Sequence, residues 1–206
     1  MKLIDISHVL NAQTPAYPGD PALELTKINA LETDHYTSYF LSSCLHTGTH
    51  IDIPMHLLDD DRMICDFSPD NFIGAGVLLD VRGQTQIAMC SKYEKLVEGK
   101  SIVLLYTGFD EKYGSGEYFD SHPSVGGELG DFLLSANIKI LGMDMPSPDH
   151  PPYAFHKKLL ERGIFVLENL TNLSALFGVA EFEVMAFPLK LSAEASFVRA
   201  VCKILP

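Results

Sequence analysis

Three histidines and an aspartate fall within one short run, His46-Thr47-Gly48-Thr49-His50-Ile51-Asp52-Ile53-Pro54-Met55-His56, with His156 and Glu168 downstream as candidates to complete a set. Imidazole and carboxylate together suit zinc, iron, nickel or manganese, whereas calcium and magnesium prefer oxygen alone. The residue types therefore point to a metalloenzyme. Taken singly, each has an ordinary explanation: a surface or hydrogen-bonded histidine, a turn aspartate. Four in one window are hard to explain that way.

The local sequence constrains how these groups are presented. His46 and His50 would share a helix face, but Thr47, Gly48, Thr49, Ile51, Ile53 and Pro54 all oppose a continuing helix. The run also lacks the glutamate that follows the first histidine in a helical zinc protease. A strand and turn serve better. His50 and Asp52, two apart on an extended segment, point to one side. A reversal at Gly48 can bring His46 beside them, because glycine tolerates the required dihedrals. Pro54 then redirects the chain, so His56 can approach the metal without binding it. Three protein ligands and an open position make a catalytic zinc site.

The remaining elements must hold this run in place. Leu3 to Ser7 reads as a strand, followed by a proline-rich loop, Pro15 to Pro21, that is an ordered turn or arm. Glu24–Ile28 and Thr37–Ser42 read as strands, the second leading into the histidine run. Gly76–Val81, Ser101–Tyr106, Ile138–Met143 and Gly163–Leu167 are continuous apolar runs, as in strands covered on both faces. Helical spacing marks Gly126–Ala136 and Ala154–Arg162, the latter stopped by Gly163. Phe182–Phe187 and Phe197–Ile204 read as terminal strands. These elements predict an α/β fold: one compact domain over residues 1–206, with a mixed sheet flanked by helices.

Composition narrows the function further. The 206 residues are 47% hydrophobic, enough for a substantial core. There are 27 acidic and 15 basic side chains, giving a formal charge of −12, so no basic face for nucleic acid is expected. The four cysteines show no paired spacing, which speaks against a zinc knuckle or a thioredoxin-type site. The N-terminal run carries Asp5 where a secretory signal needs apolar residues, and no stretch is long enough to cross a bilayer. A cytoplasmic protein with free thiols and no membrane partner is the expectation.

The run from His46 to His56 resembles the H-x-G-T-H-x-D-x-P-x-H signature of the cyclase family of metal-dependent hydrolases, which includes bacterial kynurenine formamidases and isatin hydrolases. Thr14 to Asp20 resembles the family's P-x-aromatic-P-G-D loop, and Leu105 to Phe109 its hydrophobic-x-T-G-W/F segment. Gly142 to Asp149 resembles its G-x-D-x-P-S-x-D loop, and His156 to Asn169 its later helix and strand. The resemblance implies a swivelling β/β/α fold and a metal held by His46, His50 and Asp52. It also implies that Asp52 bridges to a second ion held by His156 and Glu168. Zinc, one or two ions, is the implied metal, with manganese as the alternative.

An ion of this kind lowers the pKa of water from 15.7 to about 7. His56, with a free imidazole of ordinary pKa about 6.5, is the best general acid/base. The resemblance implies hydrolysis of a small amide, an N-formyl aromatic amine in the formamidase branch, as in tryptophan catabolism. It also implies that Tyr17 lines the substrate pocket of its own or a neighbouring chain. Tyr17 stands where formamidases commonly have Trp or Phe, and Ala195-Ser196-Phe197 replaces a small-Ser-Pro element, a change expected to alter the pocket wall. Competing readings are ring opening of a cyclic amide and a non-catalytic metal- or small-ligand-binding domain. Exposed apolar edges and the arm, together with the family habit, predict a homodimer.

Overall fold

The computed structural model describes residues 2–206. In chain order its strands are β1 (Lys2–Asp5), β2 (Glu24–Asn29), β3 (Ser38–Ser42), β4 (His50–Asp52), β5 (Ile73–Asp80), β6 (Gln86–Ile87) and β7 (Ile102–Tyr106). Then come β8 (Ser124–Val125), β9 (Ile140–Met143), β10 (Phe165–Glu168), β11 (Phe182–Met185), β12 (Ala195–Phe197) and β13 (Val201–Ile204). The α-helices are α1 (Leu31–Asp34), α2 (Lys92–Val97), α3 (Glu117–Asp120), α4 (Gly127–Ser135) and α5 (Ala154–Glu161).

A nine-stranded mixed sheet runs β1-β13-β11-β5-β7-β9-β10-β4-β12. Its centre, β5, β7, β9 and β10, is parallel, and antiparallel strands flank it on both sides. Every residue of β7, β9 and β10 is buried, as the apolar runs predict for strands covered on both faces.

The sheet is forced to curl. β12 is one end of the order and β13 lies next to the other, yet only residues 198–200 separate them. At about 3.3–3.6 Å per residue, Phe197 and Val201 can stand no more than about 14 Å apart. Hydrogen bonds knit the approach: Ile6 N and Ser7 Oγ both donate to Ala200 O at 3.0 Å, and Thr171 N donates to Ile6 O at 3.0 Å. Here the structure corrects the sequence reading, which takes Phe197–Ile204 as one strand. It is two strands at opposite ends of the sheet, joined through a corner where Val198 N donates to Thr49 O at 3.2 Å and Arg199 turns out to pair with Asp5. Hydrophobic periodicity carries no sign of such a corner.

Curling gives the sheet an inner and an outer face. Inside pack Ile4, Ile6, Ile51, Ile53, Ile102, Leu104, Leu167, Val184, Ala200 and Cys202. Outside, Val77, Leu79, Val103, Leu105, Leu141, Met143 and Val166 lie under Tyr93, Leu129, Leu133, Leu159 and Leu160 of the helices. Because β-strand side chains alternate, Ile51 and Ile53 facing inward commit His50 and Asp52 to the outer face.

The other predicted elements appear with shifted ends; α5 stops at Glu161, with Gly163 at φ 72° directly beyond it. α2 and α3 carry no periodic signal because they are six and four residues long. β2 and β3 do not join the large sheet. They form a separate antiparallel ribbon with a bulge between Lys27 and Asn29. Ile28, Tyr39, Phe40 and Leu41 on the ribbon, and Leu31 and Tyr36 between its strands, are exposed.

Candidate metal centre

β4 is clamped between two antiparallel neighbours. Its His50 lies opposite Glu168 of β10, and its Asp52 opposite Ala195 of β12. Opposed residues share a face, so Glu168 joins His50 and Asp52 on the outer side. α5 packs over the same side and lowers His156 into the group. His46 comes back through the reversal that its sequence predicts: Gly48 has φ 67°, and a Cβ there would meet the Leu10 side chain at 2.3 Å. The chain then turns through a single 3₁₀ turn, Pro54–His56, which carries His56 beside the others.

The distances are short and the atoms converge. His46 Nδ1 is 2.9 Å and His50 Nε2 3.5 Å from Asp52 Oδ1. His50 Nε2 is 3.4 Å from Glu168 Oε2, and His156 Nε2 3.5 Å from Asp52 Oδ2. Two groups can each hold an ion, His46–His50–Asp52 and Asp52–His156–Glu168, the ligand atoms of each within 4.8 Å of one another. Asp52 belongs to both.

These residues fit a metal on two independent observations. His50 Nε2, both Asp52 carboxylate oxygens, His156 Nε2 and Glu168 Oε1 are all buried and have no hydrogen-bond partner. Leaving so many polar atoms unpaired in one place is costly unless a cation satisfies them. Moreover, ligands about 2.0–2.1 Å from a tetrahedral ion stand about 3.3 Å from each other. The 3.5 Å separations of His50 Nε2 from Asp52 Oδ1 and of His156 Nε2 from Asp52 Oδ2, one in each group, lie close to that spacing. A His/Asp/Glu cluster of this kind suggests a metal ion.

Electrostatics agree. Burial pushes the Glu168 carboxyl well above the ordinary range, and the Asp52 charge pushes it further. Burial lowers His156 to about 4. His46, although burial opposes its charge, is raised to about 11 by Asp52. Burial likewise penalises Asp52, but His46 and His50 outweigh it and hold its carboxyl below the usual range. Protein alone balances these charges poorly; a cation reverses the local logic.

The surrounding groups orient the cluster, and most of them carry no sequence signal. His50 Nδ1 donates to Gly48 O at 2.8 Å, which leaves Nε2 free to face the cluster. Asn169, at φ 55°, donates from Nδ2 to the same carbonyl at 2.9 Å and accepts from Tyr118 Oη at 2.7 Å. Glu194 Oε1 lies 3.3 Å from His46 Nε2, a carboxylate behind an imidazole as in many metal sites. Asp144 accepts from Thr107 N, Thr107 Oγ1 and Gly108 N at 2.6–2.8 Å, tying together the loops after β7 and β9; burial still raises it to about 6. Tyr118, Asn169 and Glu194 become legible only through the fold.

His56 stands apart from both ligand groups. Its ring lies 4.2 Å from that of His46 and 5.6 Å from that of His156, and burial lowers its pKa, which favours the neutral imidazole. It faces a cavity of about 270 Å³ lined by Tyr17, Asp20, His46, Leu57, Pro146, Ser147, Tyr153, His156 and Glu168. Tyr17 thus lines the pocket of its own chain, its Oη 2.6 Å from Tyr153 Oη. Ala195–Phe197 is not among the lining residues and instead pairs with β4 along its edge, within the sheet. A larger surface groove of about 610 Å³ between α2 and α4 carries no comparable cluster.

A curled mixed sheet with a buried His–Asp–Glu cluster on its helix-covered face is an arrangement that a metal-dependent hydrolase can use. A family model, Cyclase, matches residues 4–150, and the chain belongs to the cyclase family. It is 31% identical to the kynurenine formamidase of Bacillus thuringiensis (strain Al Hakam) over 205 residues, 97% of this chain and 96% of the relative. Among solved structures it resembles an isatin hydrolase bound to thioisatinate, a product analogue (TM-score 0.85, 22% identity, 100% of this chain and 92% of that one). It also resembles isatin hydrolase A from Labrenzia aggregata (TM-score 0.84, 21% identity, 100% and 94%). The structural likeness concerns the fold.

Proposed function

We propose that this chain, acting as one domain, hydrolyses N-formyl aromatic amines, with N-formylkynurenine as substrate and kynurenine plus formate as products, a step of tryptophan catabolism. The observation that carries the reading is the set of buried, unpartnered nitrogen and oxygen atoms on His50, Asp52, His156 and Glu168 beside a cavity that His56 also faces. Full-length similarity to kynurenine formamidases supports the substrate. His46, His50 and Asp52 hold one zinc ion; Asp52, His156 and Glu168 hold a second, with manganese as the alternative metal. When bound, the metal supplies a Lewis acid and a water acidic enough to ionise near neutrality. His56 takes a proton from the attacking water and returns it to the departing amine nitrogen, a contribution of about 10²–10⁴-fold. Tyr17 lies against the aryl part of the substrate.

The test is hydrolysis of N-formylkynurenine by metal-stripped protein, before and after adding zinc or manganese, alongside His56→Ala. Turnover restored by metal and cut at least a hundredfold in the variant, at unchanged metal content, is the expected result. Tight metal binding without turnover rejects this substrate and makes cyclic amides such as isatin the next to try. Failure to bind metal sinks the reading.

The protein is further read as a cytoplasmic homodimer; among the described residues no helix is long and apolar enough to cross a membrane. The apolar side chains on the β2–β3 ribbon support the dimer, since an exposed ribbon of this kind is an association surface. A single monomeric peak in light scattering at micromolar concentration contradicts it.

A further inference from the structure

β5 is 8 residues long, but β11 pairs only with its first half, Ile73 to Gly76. From Val77 onward that side of β5 has no strand beside it, and the chain leading into β11 borders a gap. The gap is a cavity of about 300 Å³. Val77 and Leu78 of β5, Tyr93 and Leu96 of α2, and Phe177 and Phe182 form its walls. It shares no lining residue with the cavity that His56 faces.

The main chain of β5 is left open along this gap. Ala186 N donates to Phe72 O on the β11 side at 2.9 Å, and Val81 N donates to Tyr106 O on the β7 side at 3.0 Å. Main-chain polar groups alternate between the two sides of a strand, so Leu78 and Asp80 turn theirs toward the gap. Among the described residues neither N–H finds an acceptor. Open N–H groups on a strand edge are ready to bind whatever acceptor is brought to them.

The side chains add charge of the matching sign. Lys92 and Lys100 both line the cavity, and neither takes part in an ion pair among the described residues. In a chain of net charge −12, two such ammonium groups at one opening are a local reversal of sign. Asp80 is the one acidic side chain in the lining, and Arg82 Nε and Nη2 hold its oxygens at 2.9 and 2.8 Å. That pair carries no net charge, so the opening is positive. The walls are aromatic and aliphatic, and Leu96 and Phe177 present exposed apolar surface for an occupant to cover. The volume lies at the low end of the range for ligand pockets and suits one or two rings.

We propose that this cavity is a second binding site, one that takes an aryl carboxylate. The ring lies among Tyr93, Leu96, Phe177 and Phe182, and the carboxylate meets Lys92, Lys100 and the open N–H groups of β5. The site is separate from the metal centre and stands whatever substrate that centre takes. Hydrogen bonds to an ionised acceptor are about twice as strong as neutral ones, so an uncharged amide of the same shape binds more weakly.

The experiment is calorimetric titration of the zinc-loaded protein with 2-naphthoate at low salt, beside 2-naphthamide as the neutral isostere. Naphthoate is expected to bind one site per chain with a dissociation constant below about 1 mM. The amide should bind about tenfold more weakly. Lys92→Glu and Lys100→Glu should each weaken naphthoate about fivefold at an unchanged melting temperature, while Lys92→Arg and Lys100→Arg, which keep the charge, retain it. A carboxylate can also ligate zinc, so the titration is repeated with acetohydroxamate saturating the metal, and the same affinity is expected. Competition between the two ligands places naphthoate on the metal centre and overturns the proposal. Equal affinity for acid and amide overturns it, as does naphthoate binding that survives both charge reversals. So does the absence of any saturable binding up to about 10 mM.

Discussion

Glu168→Gln should make the metal-free protein more stable and the metal-loaded protein less able to hold its ion. Glu168 is buried, its Oε1 has no partner, and both burial and the Asp52 charge raise its pKa well above the ordinary value of 4.5. The sign follows from linkage. An unfolded chain releases this proton as the pH rises past about 4.5, whereas the folded metal-free chain retains it, so the unfolded state gains stability from ionisation. Raising the pH from 4.5 to 5.5 therefore costs the metal-free fold about 1.0 kcal/mol through this residue, and each further unit costs about 1.4 kcal/mol until the raised value is approached. Glutamine keeps the shape but has no proton to lose, so its advantage over the wild type should widen by that amount per pH unit. For a chain of this size 1.4 kcal/mol moves the melting temperature by about 3–6 °C.

The assay is thermal unfolding of chelator-treated wild type and variant at half-unit steps from pH 4.5 upwards, repeated with zinc. With the metal the order should reverse. The wild type gains about 2.7 kcal/mol when the free ion stands at a hundred times its dissociation constant, and the variant, lacking a ligand, gains less. A metal-free variant no more stable than the wild type at any pH would refute the argument. It would mean that Glu168 is held by interactions favouring its charged form.

Two further outcomes follow from groups away from the ligands. Asp144→Asn turns amide hydrogens toward the Thr107 and Gly108 donors that Asp144 now accepts from, and should cost about 1–3 kcal/mol, read as a lower melting temperature. Cys202 is buried in the inner core and its thiol is pushed up to about 12, so iodoacetamide at pH 8 should label it only after unfolding, as read by peptide mass spectrometry.

How far the sequence carries can be judged residue by residue. That His50 and Asp52 share one face was readable because alternation within a strand is local, and the reversal at Gly48 because glycine suits it; that this is the outer face was not. The buried parallel strands were readable because double-sided burial leaves an unbroken apolar run. Glu194, Tyr118 and Asn169 were not, because each acts across a sequence separation of at least 51 residues through a contact that only the fold creates. Ser147 lies within the loop Gly142 to Asp149, but nothing in its type says that its hydroxyl ends unpartnered in a cavity. The split of Phe197–Ile204 into two strands was hidden because both halves are apolar and the corner between them is set by closure of the whole sheet.

That closure has a consequence for how the protein is made. β4, with His50 and Asp52 of the proposed metal centre, is paired on one side by β10 and on the other by β12, whose Ala195 lies opposite Asp52. A ribosome adding 5–20 residues per second delivers that last partner on the order of 10 s after Asp52 has been synthesised. For all that time His46, His50 and His56 hang on a nascent chain without the strand that will lock them in place. The centre is therefore among the last parts of the molecule to be finished, and a chain truncated before β12 would leave the site strand with an open edge. Metal loading belongs after β12 has paired with β4.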